Sequence, residues 1–490
     1  MLMFVLAAGN VFASPQTPSA DACLPMAAPL SPQALFGSSK KVFAHYFNRF
    51  PLSIDNKPLE SDYYTRNYLN PAGENNKWLA QGGYLRSRPL PVTQIKTPGI
   101  PIENMKREIR LAISRGISGF AFDILSLKDL EPGNYLPNML SAAAAVDQRF
   151  KILLMPDMAA LQRDTSKVAT IVRMFYNRPE LYRLPDGRLV VAPFLSESIS
   201  PTAWAALKTS LEKEGFKIAL YPTLLSLSDV YVGKYQVVSD GLLGTFGTPV
   251  PQQLYNIAAE SLRAHTAGKL YMAGIGIQGY RPKYYIYWES EGSTAYRNGW
   301  IGAIAGSANW VQLTTWNDFS ESTQVAPYTD KSGTAGTGYF NLTGYYSSWF
   351  LTGTPPPITH DVLYYFHRKE SVNAPAPRAG QRTTLVQGAA GWDNIELLGF
   401  LTAPGRLSIR IGQHTYTKDV GAGVQSFVAP IEQGTPHFSL IRNGAEVISF
   451  DSDTAIAGSA GLPDGYADLT FWSGSASAKG TCYSNAIPIP

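Results

Sequence analysis

Gly119-Phe120-Ala121-Phe122-Asp123-Ile124 and Lys151-Ile152-Leu153-Leu154-Met155-Pro156-Asp157 are short apolar runs, each with an aspartate near its carboxyl end. A small-residue stretch at about 138–147 separates them and reads as a helix. Ahead of them, Ile102, Met105, Ile109, Ala112 and Ile113 recur at helical spacing and lead through Arg115-Gly116 into the first run. Continuous apolar runs of this length, alternating with helical patterns, predict parallel strands covered on both faces.

The same rhythm extends in both directions. Lys41-Val42-Phe43-Ala44-His45-Tyr46-Phe47 is the first strong strand. After the quoted pair come a helix at 165–176 and a strand from Leu189 to Phe194, then a helix at 202–214 and a strand from Lys217 to Tyr221. A short helix precedes the strand Gly241-Leu242-Leu243, the helix 251–265 leads to Lys269–Ala273, and the helix 295–305 leads to Trp310–Thr315. Eight strands alternating with helices predict an α/β fold, a (β/α)8 TIM barrel over residues 39–374. His45, Asp123, Asp157, Glu197, Asp240, Asp318 and Glu321 lie near strand ends, and all but Asp240 follow their apolar run, on the rim where barrel enzymes keep their chemistry.

Beyond about 376 the texture changes to short alternating segments such as Leu407-Ser408-Ile409-Arg410-Ile411, punctuated by Gly and Pro, which predicts an all-β sandwich over 375–490. Asn373-Ala374-Pro375-Ala376-Pro377 reads as the linker between the two.

A net charge of +4 without any long run of like charge gives no footprint for nucleic acid or a charged membrane surface. Residues 1–13 form an apolar run ending in Val11-Phe12-Ala13, the pattern of a signal peptide, and 14–38 reads as a loose leader. The protein is therefore expected to be secreted or periplasmic, with no membrane span in the later sequence and acting as a monomer. Cys23 and Cys482 stand near opposite ends and have two readings, one disulfide tying the termini or two unrelated thiols. Two distant cysteines and six dispersed histidines carry no zinc signature, so no metal is expected.

The 27 Tyr, 22 Phe and 9 Trp exceed what an ordinary core needs, and flat rings with a polar tip suit the faces of sugar rings. Trp288, Trp300, Trp310 and Trp316 are candidates for such stacking, each also explicable as packing. The segment Thr315-Trp316-Asn317-Asp318-Phe319-Ser320-Glu321-Ser322 gathers two carboxylates, an amide and an indole at the end of the last barrel strand. Hydrolysis of a glycosidic bond needs one protonated carboxyl and one ionised carboxylate. Residues three apart in extended chain reach about 10 Å between Cα atoms, and inverting pairs sit about 6.5–9.5 Å apart. The spacing admits that geometry and, through side-chain reach, the closer retaining one. In the plainer reading Asp318 caps a turn and Glu321 is solvated. Asp123 is a third catalytic candidate, because a carboxylate on a buried strand is costly unless paired or functional. His45, Asp157, Glu197, Asp240, Trp288, Trp316 and Asn317 are candidate substrate-binding residues.

Val42-Phe43-Ala44-His45-Tyr46-Phe47, Gly116-Ile117-Ser118-Gly119-Phe120-Ala121-Phe122-Asp123 and Thr315-Trp316-Asn317-Asp318-Phe319-Ser320-Glu321-Ser322 resemble, in residues and in order, glycoside hydrolase family 71, the α-1,3-glucanases or mutanases. The resemblance covers roughly 40–370. It implies endo-acting hydrolysis of α-1,3-glucan with inversion and no cofactor, and it places the family's essential Asp and Glu on Asp318 and Glu321. A further important Asp falls on Asp123 or Asp157. The chain departs from the family pattern with Phe319 for Tyr, Ser320 for Gly and Asp123 where Asn is common. Two other readings stand beside this one: an endo-hydrolase of another α-linked polysaccharide such as α-mannan or mixed α-glucan, and a non-catalytic carbohydrate-binding surface protein.

Overall fold

A computed structural model of the chain describes residues 23–96, 98–225, 227–244, 246–375 and 383–482. Eight strands form one sheet: β1 (Lys41–Tyr46), β2 (Gly119–Ile124), β3 (Lys151–Pro156), β4 (Leu189–Val191), β5 (Ile218–Leu220), β6 (Gly241–Leu243), β7 (Leu270–Gly276) and β8 (Trp310–Thr314). Their order is β5-β4-β3-β2-β1-β8-β7-β6, with the ladders parallel. A parallel bridge between Thr223 and Leu243 joins β5 to β6 and closes the sheet into a barrel. The predicted barrel is thus the observed one.

Period-two alternation decides what enters the barrel. Phe43, Ala121, Leu153, Met155, Val190, Ala219, Met272 and Trp310 form an interior cluster, while their neighbours Val42, Phe120, Phe122, Ile152 and Leu154 belong to the outer core beneath the helices. The floor is an aromatic plug: Phe43, Tyr182 and Trp310 meet edge to face, and Tyr221 stacks on Trp310 at 4.8 Å. The same alternation carries His45, Asp123 and Asp157 to the open end above the plug.

The surrounding helices follow their apolar stripes. Ile100–Ser114 buries Met105, Ile109 and Ala112, and Pro201–Lys213 starts at a Ser200 cap whose hydroxyl accepts from the Ala203 amide. The helix Gly338–Thr352 was not expected. It is buried nearly all round, so its sequence lacks the polar face by which a surface helix is recognised.

The β-module is a sandwich, but it begins earlier than the expected boundary at 375. Val362–His367 lies in a five-stranded sheet with Asn394–Leu401, Gly423–Pro430, Trp472–Ser477 and Gly480–Thr481, opposite a four-stranded sheet of Gly405–Ile411, His414–Val420, His437–Arg442 and Ala445–Asp451. Leu363 and Tyr365 point into the sandwich core, whereas Tyr364 and Phe366 point into the core shared with the barrel. Before the rest of the sandwich forms, the chain returns to the barrel. Thr384–Gln387 pairs with Ile286–Trp288, itself paired with Gly279–Arg281. The Arg368 guanidinium meets both oxygens of Glu289 at 3.1 Å, with side chains 2% and 0% exposed. Gln278 and Phe471 exchange two hydrogen bonds.

Residues 1–22, which include the expected signal peptide, lie outside the described residues. The described part of the expected loose leader is fixed: Cys23, Leu24 and Met26 are buried, and the Cys23 and Pro25 carbonyls accept from Tyr364 Oη and the Thr359 amide. The correction has a simple cause, since Leu24 fills the space over Gly344 of the buried helix. Cys23 and Cys482 do meet, with Cys23 Sγ 3.1 Å from the Cys482 carbonyl oxygen. No helix among the described residues is long and apolar enough to cross a membrane.

Candidate active site

A cleft of about 510 Å³ opens over the carboxyl ends of the strands, lined among others by His45, Asp123, Asp157, Trp288, Asp318 and Glu321. Apolar walls come from Phe47, Phe194, Leu225, Phe246 and Pro249. Gly247 and Gly276 let the loop after β6 lie directly on the ends of β7 and β8, because a Cβ at either would overlap backbone of the other segment.

The turn after β8 is pinned from several sides. The Trp316 amide donates to the His45 carbonyl at 2.7 Å. Asn317 accepts from the Phe47 amide and donates to the Phe47 and Phe50 carbonyls, tying the turn to the loop after β1. The Asp318 amide donates to Thr315 Oγ1 at 2.7 Å, and the Glu321 carbonyl accepts from the Tyr280 amide at 2.9 Å. Asp318 and Glu321 therefore face the cleft from a braced turn.

Their electrostatics differ. Asp318 Oδ1 accepts from the Ser320 amide at 2.9 Å and Ser320 Oγ at 2.7 Å, bonds that favour its ionised form. Burial nevertheless raises its pKa, opposed by Ser320, His45 and Arg281. Burial and then the Asp318 charge push Glu321 up to about 7, opposed by Arg281. The Glu321 side chain is still 29% exposed, onto the cleft, and takes a 2.6 Å contact from Arg281 Nη2. Arg281 lies over the Trp288 ring at 4.8 Å. Burial thus pushes both carboxyls toward the protonated form, Glu321 to about 7, in the range where a carboxyl can hold a proton for acid/base work.

Deeper in the cleft His45 Nε2 stands 3.5 Å from Asp123 Oδ2, with its other ring nitrogen 3.2 Å from Met155 Sδ and Phe246 edge-on at 4.9 Å. Asp123 Oδ1 is buried without a hydrogen-bond partner, and burial raises the pKa of this carboxyl. Asp157 lines the cleft while its Oδ1 accepts from the Ala159 and Ala160 amides, closing a turn.

Six residues considered for the site stand away from the cleft or serve structure. Asp240 precedes β6 and sits at the opposite end of the barrel, paired with Arg188 and Lys208. Trp316 is fully buried against Phe120 and Phe340, with Nε1 on Glu108, and so presents no face to a sugar. Asn317 spends its amide on backbone and serves to hold the turn. Glu197 holds the Leu225 amide at 2.7 Å behind the cleft wall. Trp300 and Trp310 are likewise interior. Of the tryptophans considered for stacking, Trp288 is the one on the cleft.

Sequence reasoning missed Arg281, Ser320 as a donor, and Tyr84. Tyr84 packs on Phe50 with ring centroids 6.0 Å apart; burial raises its pKa, and the charges of Asp318 and Glu321 add to the rise. Tyr84 arrives from the long excursion between β1 and the helix Ile100–Ser114, where no periodicity marks it.

Comparison with known proteins finds relatives over most of the chain. The chain is 26% identical over 376 residues to the glucan endo-1,3-alpha-glucosidase agn1 of Schizosaccharomyces pombe, covering 71% of this chain and 86% of that one. It is 26% identical over 399 residues to the ascus wall endo-1,3-alpha-glucanase of the same organism, covering 71% and 87%. A mutanase of Penicillium rubens is 23% identical over 378 residues, covering 71% and 80%. The model of glycosyl hydrolase family 71 matches residues 96–485, a span that takes in β2 to β8, the Asp318/Glu321 turn and nearly all of the sandwich, and the chain belongs to that family.

Proposed function

We propose that the protein is a secreted, endo-acting α-1,3-glucanase that works as a single chain and inverts the anomeric centre. The observation that carries this reading is the Asp318/Glu321 pair: two carboxylates on one braced turn, facing an apolar-walled cleft, with unequal hydrogen bonding. The names of the relatives, a glucan endo-1,3-alpha-glucosidase and an ascus wall endo-1,3-alpha-glucanase, support the substrate class and action at a cell wall.

In the proposed mechanism Glu321, protonated below about 7, gives its proton to the glycosidic oxygen as the C1–O bond breaks. Asp318, whose ionised form the Ser320 donors favour, takes a proton from the water that forms the new C1–O bond on the opposite face. His45 and Asp123 lie beneath the reacting sugar, and Trp288 offers its ring at the wall. Reducing-end release from α-1,3-glucan by the wild type, Asp318→Asn and Glu321→Gln tests the assignment. Each variant should lose at least about a hundredfold in rate while keeping its circular dichroism spectrum. Full activity in either folded variant removes that residue from the mechanism.

A further inference from the structure

Beside the cleft, the excursion after β1 carries an aromatic bank. Trp78 stacks on Tyr84 with ring centroids 4.5 Å apart and planes 15° from parallel. Tyr84 in turn packs on Phe50, which meets Phe319 of the catalytic turn edge to face at 6.2 Å. From the other side the loop after Arg281 brings Lys283, whose ammonium sits 5.9 Å from the Trp78 ring and 5.0 Å from that of Tyr284. Tyr284 is 57% exposed. The bank thus runs from the catalytic turn outward across two loops, continuous with the Arg281 wall.

Tyr84 is held by packing on Phe50 and Tyr68, whereas Trp78 is held by a hydrogen bond. Glu74 accepts from Trp78 Nε1 at 2.9 Å and from Tyr63 Oη at 3.0 Å, fixing both rings through one carboxylate. The backbone that sets Glu74 there has three consecutive non-glycine residues, Glu74, Asn75 and Asn76, at φ of 49°, 59° and 62°. Such conformations are costly and cluster where a surface is functional. Trp78 is only partly covered, so the arrangement orders a large ring at the surface without burying it.

We propose that Trp78, Tyr84 and Tyr284 form a distal binding platform for the polysaccharide chain, taking the apolar faces of glucose units beyond those at Asp318 and Glu321. The inference rests on the proposed α-1,3-glucan substrate. Stacked rings flanked by cations offer flat apolar surface with polar edges, the complement of a pyranose whose C–H groups lie on its faces and hydroxyls on its rim. The platform contributes affinity only to chains long enough to span it, so it favours polymer over short substrates.

The test compares Trp78→Ala and Tyr284→Ala with the wild type on two substrates, α-1,3-glucan and a nitrophenyl glycoside of an α-1,3-linked disaccharide. The ratio of kcat/KM for polymer to that for the short glycoside should fall about tenfold in Trp78→Ala and in the same direction in Tyr284→Ala, whose exposed ring is not needed for folding. A fall confined to the polymer supports the platform. An unchanged ratio in both variants, with an active wild type, overturns the platform alone. A wild type that releases no reducing ends from α-1,3-glucan overturns the substrate reading and the platform with it.

Discussion

Arg281 Nη2 donates to Glu321 Oε2 at 2.6 Å, so the carboxyl assigned as proton donor is in contact with a cation that favours its ionised form. The contact opposes burial and the Asp318 charge, which push Glu321 up to about 7. Removing the cation removes the opposing influence, and the Glu321 pKa must rise. Since the proposed acid works protonated, activity falls as pH rises through that value. Arg281→Gln should therefore move the alkaline limb of the kcat/KM profile upward by roughly one pH unit. A limb that stays in place or moves down contradicts the assignment of Glu321 as the acid.

Ser320 makes the complementary prediction for Asp318. Its amide and hydroxyl both donate to Asp318 Oδ1, and the hydroxyl is the part that distinguishes it from glycine. Ser320→Gly keeps the amide bond and loses the other, so the Asp318 pKa rises and the acidic limb moves to higher pH. The measurement is the pH profile of kcat/KM, with the alkaline limb as internal control. An acidic limb at or below that of the wild type removes Asp318 from the role of base.

Glu108 lies buried between Tyr46 Oη at 2.8 Å and Trp316 Nε1 at 3.3 Å, beneath the catalytic turn. Burial pushes its carboxyl up to about 8, with the two donors opposing. In the unfolded chain the group ionises near its ordinary value of about 4.3. The folded state is therefore favoured by protonation, and stability is lost as pH rises between those two values. Thermal unfolding of Glu108→Gln should lack this component, so the variant gains on the wild type as pH rises from about 5 to about 8. A constant difference in Tm across that range would sink the account of Glu108.

The sandwich is fastened to the active-site wall, which bears on truncation. Thr384–Gln387 extends the small sheet that carries Arg281 and Trp288, and Glu289 is the buried partner of Arg368. Ending the chain at 374 strips Val362–His367 of its neighbours and leaves Gln278 without Phe471. Such a chain should show no cooperative unfolding transition and no activity. Glu289→Ala in the full chain should cost about 3–5 kcal/mol, since it leaves a buried guanidinium uncompensated. A soluble, active chain ending at 374 would refute the fastening.

What the sequence made legible follows its periodicities. The apolar runs ending at Asp123 and Asp157 carry their own direction and register, so strands, rim and carboxylates could be read together. Asp240 misled because it precedes its run, Gly241–Leu243, and a residue before a barrel strand sits at the amino end, away from the rim. Trp316 and Asn317 misled because a turn, unlike a strand, has no alternation to say which side chains face inward. Arg281 stands on the short strand Gly279–Arg281, whose sheet is completed by Thr384–Gln387 far along the chain, and Tyr84 comes from a loop that reaches the turn through Phe50 and Phe319. The helix Gly338–Thr352 escaped because the sandwich covers the face that would otherwise have been polar.

The central claim, that Asp318 and Glu321 hydrolyse α-1,3-glucan by direct attack of water, is tested most directly by proton NMR of the products in the first minutes of reaction. The account predicts new reducing ends that appear first as the β anomer and only later equilibrate. New reducing ends that appear first as the α anomer would contradict it.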